Sequence, residues 1–244
     1  MLSIKNLTKH FGGVRAVDHC SFEVTPARIT ALIGPNGAGK TTLFNCIAGV
    51  HLPEAGQVIF AGRDITTLPI YLRAQFGLSR TFQLVRTFKN MTVEENLRLA
   101  AEPDDQNFWR SILFPRPVVQ TYLKDMLRLV GLNQSLKFPA KSLSYGQSKL
   151  LSLARALLQP HKILMLDEPV AGVAPTLRQN FKTLLPELKA RGETIFFIEH
   201  DMDFVRAVAD HVIVMDQGKV LTEGTPEQVL KDQRVLDAYL GEQL

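Results

Sequence analysis

The chain has 244 residues, 45% of them hydrophobic and 21% charged, ordinary proportions for one large domain or two small ones with a well-buried core. A net charge of +4 without dense Lys/Arg blocks tolerates an anionic surface but does not demand one. Only two cysteines occur, Cys20 and Cys46, without metal-ligand spacing. No apolar run approaches the roughly 18–20 residues needed to cross a bilayer, so a disulfide scaffold, a cysteine-held metal module and a membrane-spanning chain are excluded.

In chain order, the opening Met1-Leu2-Ser3-Ile4-Lys5-Asn6 lacks a basic-then-apolar leader, which predicts a cytoplasmic protein. Residues 2–7 and 14–24 alternate as strands around Gly12-Gly13, a small antiparallel layer. The apolar, β-favouring run Ile29-Thr30-Ala31-Leu32-Ile33 then opens through glycines into a helical segment. Residues Gly34-Pro35-Asn36-Gly37-Ala38-Gly39-Lys40-Thr41, with Thr42 next, fit the G-x-x-x-x-G-K-[ST] phosphate loop. Gly34, Gly37 and Gly39 let the backbone curl so that successive N–H groups converge on one anion. Amides of the next helix add their dipole, Lys40 supplies a point charge for the β/γ-phosphates, and the Thr41 hydroxyl can ligate Mg²⁺. This spacing predicts binding of a nucleoside triphosphate.

The following helix should run from about Lys40 to Ala48 and end at Gly49, burying Leu43, Cys46 and Ile47 on one face. A turn over Pro53-Glu54-Ala55-Gly56 leads to a strand at Gln57–Phe60, and Leu78 to Gln83 reads as another. Helical periodicity takes over at Thr92–Ala101 and Val118–Val130, separated by the Pro- and Asp-containing stretch 102–117. Strands and helices alternate again from Lys162. The expected elements are strand Lys162–Asp167, helix Pro175–Arg191, strand Thr194–Glu199, helix Met202–Ala209, strand His211–Asp216 and strand Lys219–Thr222, then short helices from Pro226 and Arg234. The fold class is α/β: a mainly parallel sheet covered on both faces (residues 1–86 and 160–244), an antiparallel β layer, and a helical insert at 87–159, within a single domain spanning 1–244.

Lys162-Ile163-Leu164-Met165-Leu166-Asp167-Glu168 is a buried strand that ends in two carboxylates. Ligands of parallel sheets bind at the carboxyl ends of strands, so Asp167 can hold Mg²⁺ opposite Thr41 while Glu168 polarises an attacking water. Upstream, Leu143-Ser144-Tyr145-Gly146-Gln147 opens a helix with Ser144 as N-cap and Gly146 permitting close approach to an anion.

With phosphate loop, Ser144-led helix and Asp167-Glu168 strand in this order, the chain resembles ATP-binding-cassette (ABC) nucleotide-binding subunits over essentially its whole length. The resemblance implies a P-loop NTPase core of RecA-like type and ATP with Mg²⁺ as ligands. By the same resemblance Phe11 stacks on adenine (the alternative is a core phenylalanine) and Gln83 touches Mg²⁺ and water. His200, after Ile195-Phe196-Phe197-Ile198-Glu199, contacts the γ-phosphate. Ser144, Gly146 and Gln147 bind the γ-phosphate held by a second subunit, identical or paralogous. The other histidines, His10, His19, His51, His161 and His211, are read as structural or exposed. Tyr145 within the signature, Arg80-Thr81-Phe82-Gln83, Met91-Thr92-Val93-Glu94-Glu95-Asn96-Leu97, Val170-Ala171-Gly172-Val173-Ala174-Pro175 and the ending Arg234–Gly241 resemble the ATPase subunits of branched-chain amino acid uptake systems. That implies a permease docked beside Gln83, a solute-binding protein as indirect partner, no nucleic acid, and a place on the inner face of the cell membrane. Lipid or lipopolysaccharide export, another solute such as urea, and a soluble ATPase of iron–sulfur assembly type remain the alternatives. Ala174 departs from the family's usual Asp or Asn, and the tail residues Val235, Leu236, Tyr239 and Leu240 are expected to dock on their own domain or, alternatively, on a partner.

Overall fold

The structure, a computed structural model, describes residues 1–81, 87–101 and 117–240. Strands β1 (Leu2–Phe11), β2 (Val14–Val24), β4 (Ala55–Phe60) and β5 (Arg63–Asp64) form an antiparallel sheet in the order β2-β1-β4-β5. The second sheet runs β10-β9-β3-β8-β7-β6, with β3 (Ile29–Ile33), β6 (Leu78–Arg80), β7 (Ile163–Asp167), β8 (Ile195–Ile198) and β9 (His211–Asp216) parallel. Strand β10 (Lys219–Gly224) closes the edge antiparallel to β9.

The central strands are buried on both faces, which is why they read as unbroken apolar runs. Alternate residues serve two cores. Ala31, Leu164, Leu166, Ile195, Phe197, Val212 and Val214 face one core; Leu32, Ile163, Met165, Phe196, Ile198, Ile213 and Met215 face the other. The second core is roofed by α1 (Lys40–Ala48) and the antiparallel sheet, and it takes in Leu43, Cys46 and Ile47 as expected. On the first lie α6 (Pro175–Ala190) and α7 (Met202–Val208), together with the insert helices α3 (Val93–Ala101), α4 (Pro117–Val130) and α5 (Tyr145–Leu158). Helix α5 packs against both α3 and α4.

Several boundaries differ from the sequence reading. Ala55 and Gly56 belong to β4 and not to a turn, because a register shift between Lys5 and Thr8 lets β1 pair again with Ala55 beyond Gly56. Helix α2 (Ile70–Gln75) has no apolar periodicity to announce it and is organised by one buried cation. Arg73, 1% exposed, donates to the carbonyls of Thr66, Leu68, Cys46 and Ile47, and so also binds the carbonyl end of α1. Short helices α8 (Pro226–Val229) and α9 (Gln233–Leu240) end the described chain. In α9, Val235 and Tyr239 pack on the chain's own core while Leu236 is exposed.

Candidate active site

Register places the tips of three parallel strands level: Leu32 pairs with Ile198, and Asp167 pairs with the same Ile198. Gly34, Glu199-His200 and Asp167-Glu168 therefore issue from adjacent strand ends. The Glu168 amide donates to the Ile198 carbonyl at 3.1 Å, fixing the start of the carboxylate turn against β8.

The loop after β3 is shaped by close backbone approach. Gly34 and Gly39 have φ of +148° and +98°, and a Cβ on either would sit 2.0 Å from a carbonyl oxygen, that of Met215 or Ala16. Only glycine fits these two positions. Gly39 is the N-cap of α1, and the helix begins with no side-chain cap and no acidic residue in its first turn. No N-cap side chain therefore occupies the amides of its first turn, the place where a helix can receive an anion. The Lys40 ammonium lies back over the loop, donating to the carbonyls of Gly34 and Pro35 at 2.7 Å each. Asn36, Gly37 and Thr41 are exposed, Thr42 is half-buried, and Pro35 and Ala38 are buried.

Asp167 is buried, and Arg80 holds one of its oxygens, Oδ2, at 2.9 Å. The same guanidinium reaches Asn45 Oδ1 on α1 at 2.8 Å, so one side chain bridges the phosphate-loop helix to the β7 tip. Asp167 Oδ1 is buried with no hydrogen-bond partner. The orphaned carboxylate oxygen at the strand tip and the Thr41 hydroxyl at the head of α1 are hard-oxygen donors of the kind Mg²⁺ takes. That ion usually takes one or two carboxylates and completes its shell with phosphate and water. Among the described residues no cluster of three His, Cys, Asp or Glu could cage a metal by itself.

Glu168 is half-buried and adopts φ +49°, a left-handed conformation rare for a residue with a Cβ. The turn it begins is gripped from two sides. Lys149 of α5 donates to the carbonyls of Glu168 and Ala171 at 2.6 and 2.8 Å, and the fully buried Glu199 accepts from the Val170 amide at 2.9 Å. Burial pushes the Glu199 carboxyl up, opposed by the amides of Val170 and His200. Burial likewise draws the Lys149 ammonium down, opposed by the carboxylates of Glu199, Glu168 and Asp167. His200 is exposed, with Nδ1 3.9 Å from Glu199 Oε2, and Arg178 of α6 pairs with Asp201 just beyond it.

Ser144 caps α5 in a reciprocal box: its Oγ accepts from the Gln147 amide at 3.2 Å, and Gln147 Oε1 accepts from the Ser144 amide at 2.9 Å. The start of this helix faces α6, where a Cβ on Gly146 would meet Leu177 Cδ2 at 2.7 Å. Phe11 is 46% exposed, which removes the core-phenylalanine alternative; its ring lies edge-on to His51 with centroids 5.2 Å apart. Gln83 lies outside the described residues. Ala174 is the N-cap of α6 and makes no side-chain cap hydrogen bond. Sequence reasoning gave Arg80 no role of its own, quoting it only within Arg80-Thr81-Phe82-Gln83, and missed Lys149; the available signal was their place, at the end of a strand and one turn into the Ser144 helix.

Comparison with known proteins agrees with this geometry. Residues 17–171 match the ABC transporter family and residues 219–244 the branched-chain amino acid ATP-binding cassette transporter family. The chain is 39% identical to the high-affinity branched-chain amino acid transport ATP-binding protein BraF of Pseudomonas aeruginosa, over 99% of this chain and 98% of that one. It is 38% identical to LivG of Escherichia coli, which carries the same description, with the same coverage. A crystal structure of the ADP conformation of an ATP-binding cassette superposes with a TM-score of 0.86 at 36% identity, covering 99% of this chain and 98% of the other. Among the described residues no helix is long and apolar enough to cross a membrane. A glycine-walled phosphate loop beside a carboxylate-tipped strand, and relatives matched from end to end, lead to one conclusion: the chain belongs to the ABC transporter family and is a transport ATPase.

Proposed function

We propose that this ATPase drives import of branched-chain or closely related amino acids through a membrane permease, on the cytoplasmic face of the membrane. The observation that carries the reading is the end-to-end likeness to BraF and LivG, extended by the family match over residues 219–244. In this reading the amides from Gly34 to Thr42 and the Lys40 ammonium bind the ATP phosphates, with Phe11 against the adenine. Thr41 and Asp167, with Gln83, would hold Mg²⁺, which would supply positive charge beside the phosphate oxygens. Glu168 takes the proton of the attacking water, and His200 steadies the γ-phosphate. Residues 87–159 act as the helical arm, whose Ser144, Gly146 and Gln147 meet the nucleotide of a second subunit, so hydrolysis requires a dimer.

Uptake of radiolabelled leucine tests the proposal. Deleting the gene should abolish high-affinity uptake, the intact gene should restore it, and Lys40→Ala should not. Uptake unaffected by the deletion would overturn the amino-acid assignment and point to another solute or to export.

A further inference from the structure

Lys149 is 8% exposed on a helix that otherwise buries Leu150, Leu151, Leu153 and Ala154, and burying an ammonium there has a cost that something must offset. Its three donors all end on one short stretch of backbone: the carbonyls of Glu168 at 2.6 Å, Ala171 at 2.8 Å and Pro169 at 3.4 Å. On the other side of that stretch Glu199 accepts from the Val170 amide, and within it the Ala171 amide closes onto the Glu168 carbonyl at 3.3 Å. The Tyr145 ring lies 5.3 Å from the ammonium, and a Cβ on Gly172 would touch that ring at 3.6 Å. Residues 168–171 are thereby held by a cation and a carboxylate that belong to two other elements, with the Tyr145 ring beside the ammonium. A left-handed glutamate such as Glu168 persists only where its surroundings over-determine it.

We propose that Lys149 is a positioning residue for ATP hydrolysis: by collecting the carbonyls of the 168–171 turn it sets the backbone from which Glu168 reaches the attacking water. A positively charged tripod does this where a neutral side chain of the same length cannot, because three carbonyl dipoles point at one place. The inference rests on the reading of Glu168 as the base, and its test separates the two.

The purified full-length chain is compared with Lys149→Met and Lys149→Arg for steady-state ATP hydrolysis, fluorescent ATP-analogue binding, and amide exchange over residues 168–173. Displacing a reacting group by about 1 Å costs on the order of 100-fold in rate, so Lys149→Met should lose about 10- to 100-fold in kcat with KM and analogue affinity within about twofold. Its 168–173 amides should exchange faster. Lys149→Arg, which keeps charge and donors, should stay within about fivefold of the native kcat. Native kcat in Lys149→Met overturns the proposal. So does a parallel fall of kcat, affinity and thermal midpoint, or an Arg variant no better than Met. If Lys149→Met does not fold, Lys149→Gln is read by the same split, and native kcat there is equally decisive. Glu168→Gln runs alongside: full turnover in it would remove the base assignment, while the exchange data would still decide whether Lys149 holds the turn.

Discussion

Replacing Arg80 by Met asks how much of the site is held by one buried ion pair. The side chains of Arg80 and Asp167 are 6% and 4% exposed, and the guanidinium spans 2.9 Å to Asp167 Oδ2 and 2.8 Å to Asn45 Oδ1. Methionine keeps much of the volume but supplies no donor, so a buried carboxylate whose other oxygen already lacks a partner would lose its countercharge. Breaking such a pair costs about 3–5 kcal/mol, against about 0–1 kcal/mol for an exposed one. For a chain of this size each kcal/mol moves the thermal midpoint by about 2–4 °C, so a fall of roughly 6–20 °C is expected in a circular-dichroism melt. Arg80→Met combined with Asp167→Asn removes the stranded charge and should melt higher than Arg80→Met alone. A single variant within 2 °C of native, roughly the exposed-pair range, or two substitutions whose losses simply add, would refute the reasoning.

Three further outcomes follow from the same geometry. Lys40→Ala should remove detectable ATP binding and with it the nucleotide-induced rise in thermal midpoint, both read by differential scanning fluorimetry. Gly39→Ala should destabilise the fold by about 2–5 kcal/mol in urea titration, combining a disfavoured left-handed backbone with overpacking, because its Cβ would lie 2.0 Å from the Ala16 carbonyl oxygen. The thiols of Cys20 and Cys46 are both buried, and burial pushes each up to about 11. Folded values above the unfolded ones mean that their contribution to stability is complete below pH 9 and lost as pH rises toward 11; stability followed by denaturant titration across that window should decline, and native thiols should resist alkylation at pH 8.

The parts of this molecule written in local patterns were legible beforehand. The phosphate loop was, because Gly34 and Gly39 face carbonyls that leave no room for a Cβ and Gly37 takes a positive φ in open space. The β7 tip was, because an apolar run ending in Asp167-Glu168 has few other uses. The twofold core was implicit too, since strands buried on both faces lose the alternation that marks a one-sided sheet. What stayed hidden are long basic side chains acting across elements. Arg73 organises α2 from four carbonyls, Arg80 ties α1 to β7, and Lys149 ties α5 to the carboxylate turn. None of these contacts leaves a period in the sequence, because each joins residues between 5 and 87 positions apart. The capping box at Ser144 lies between these cases: Ser144 announced the cap, and the return bond from Gln147 became visible only in three dimensions.

The most direct test of the account is ATP hydrolysis and ATP binding measured together on Glu168→Gln. General-base assistance is worth about 10²- to 10⁴-fold, so turnover should fall by that order while ATP is still bound with near-native affinity. Turnover at the native rate would contradict the assignment of water activation to the tip of β7.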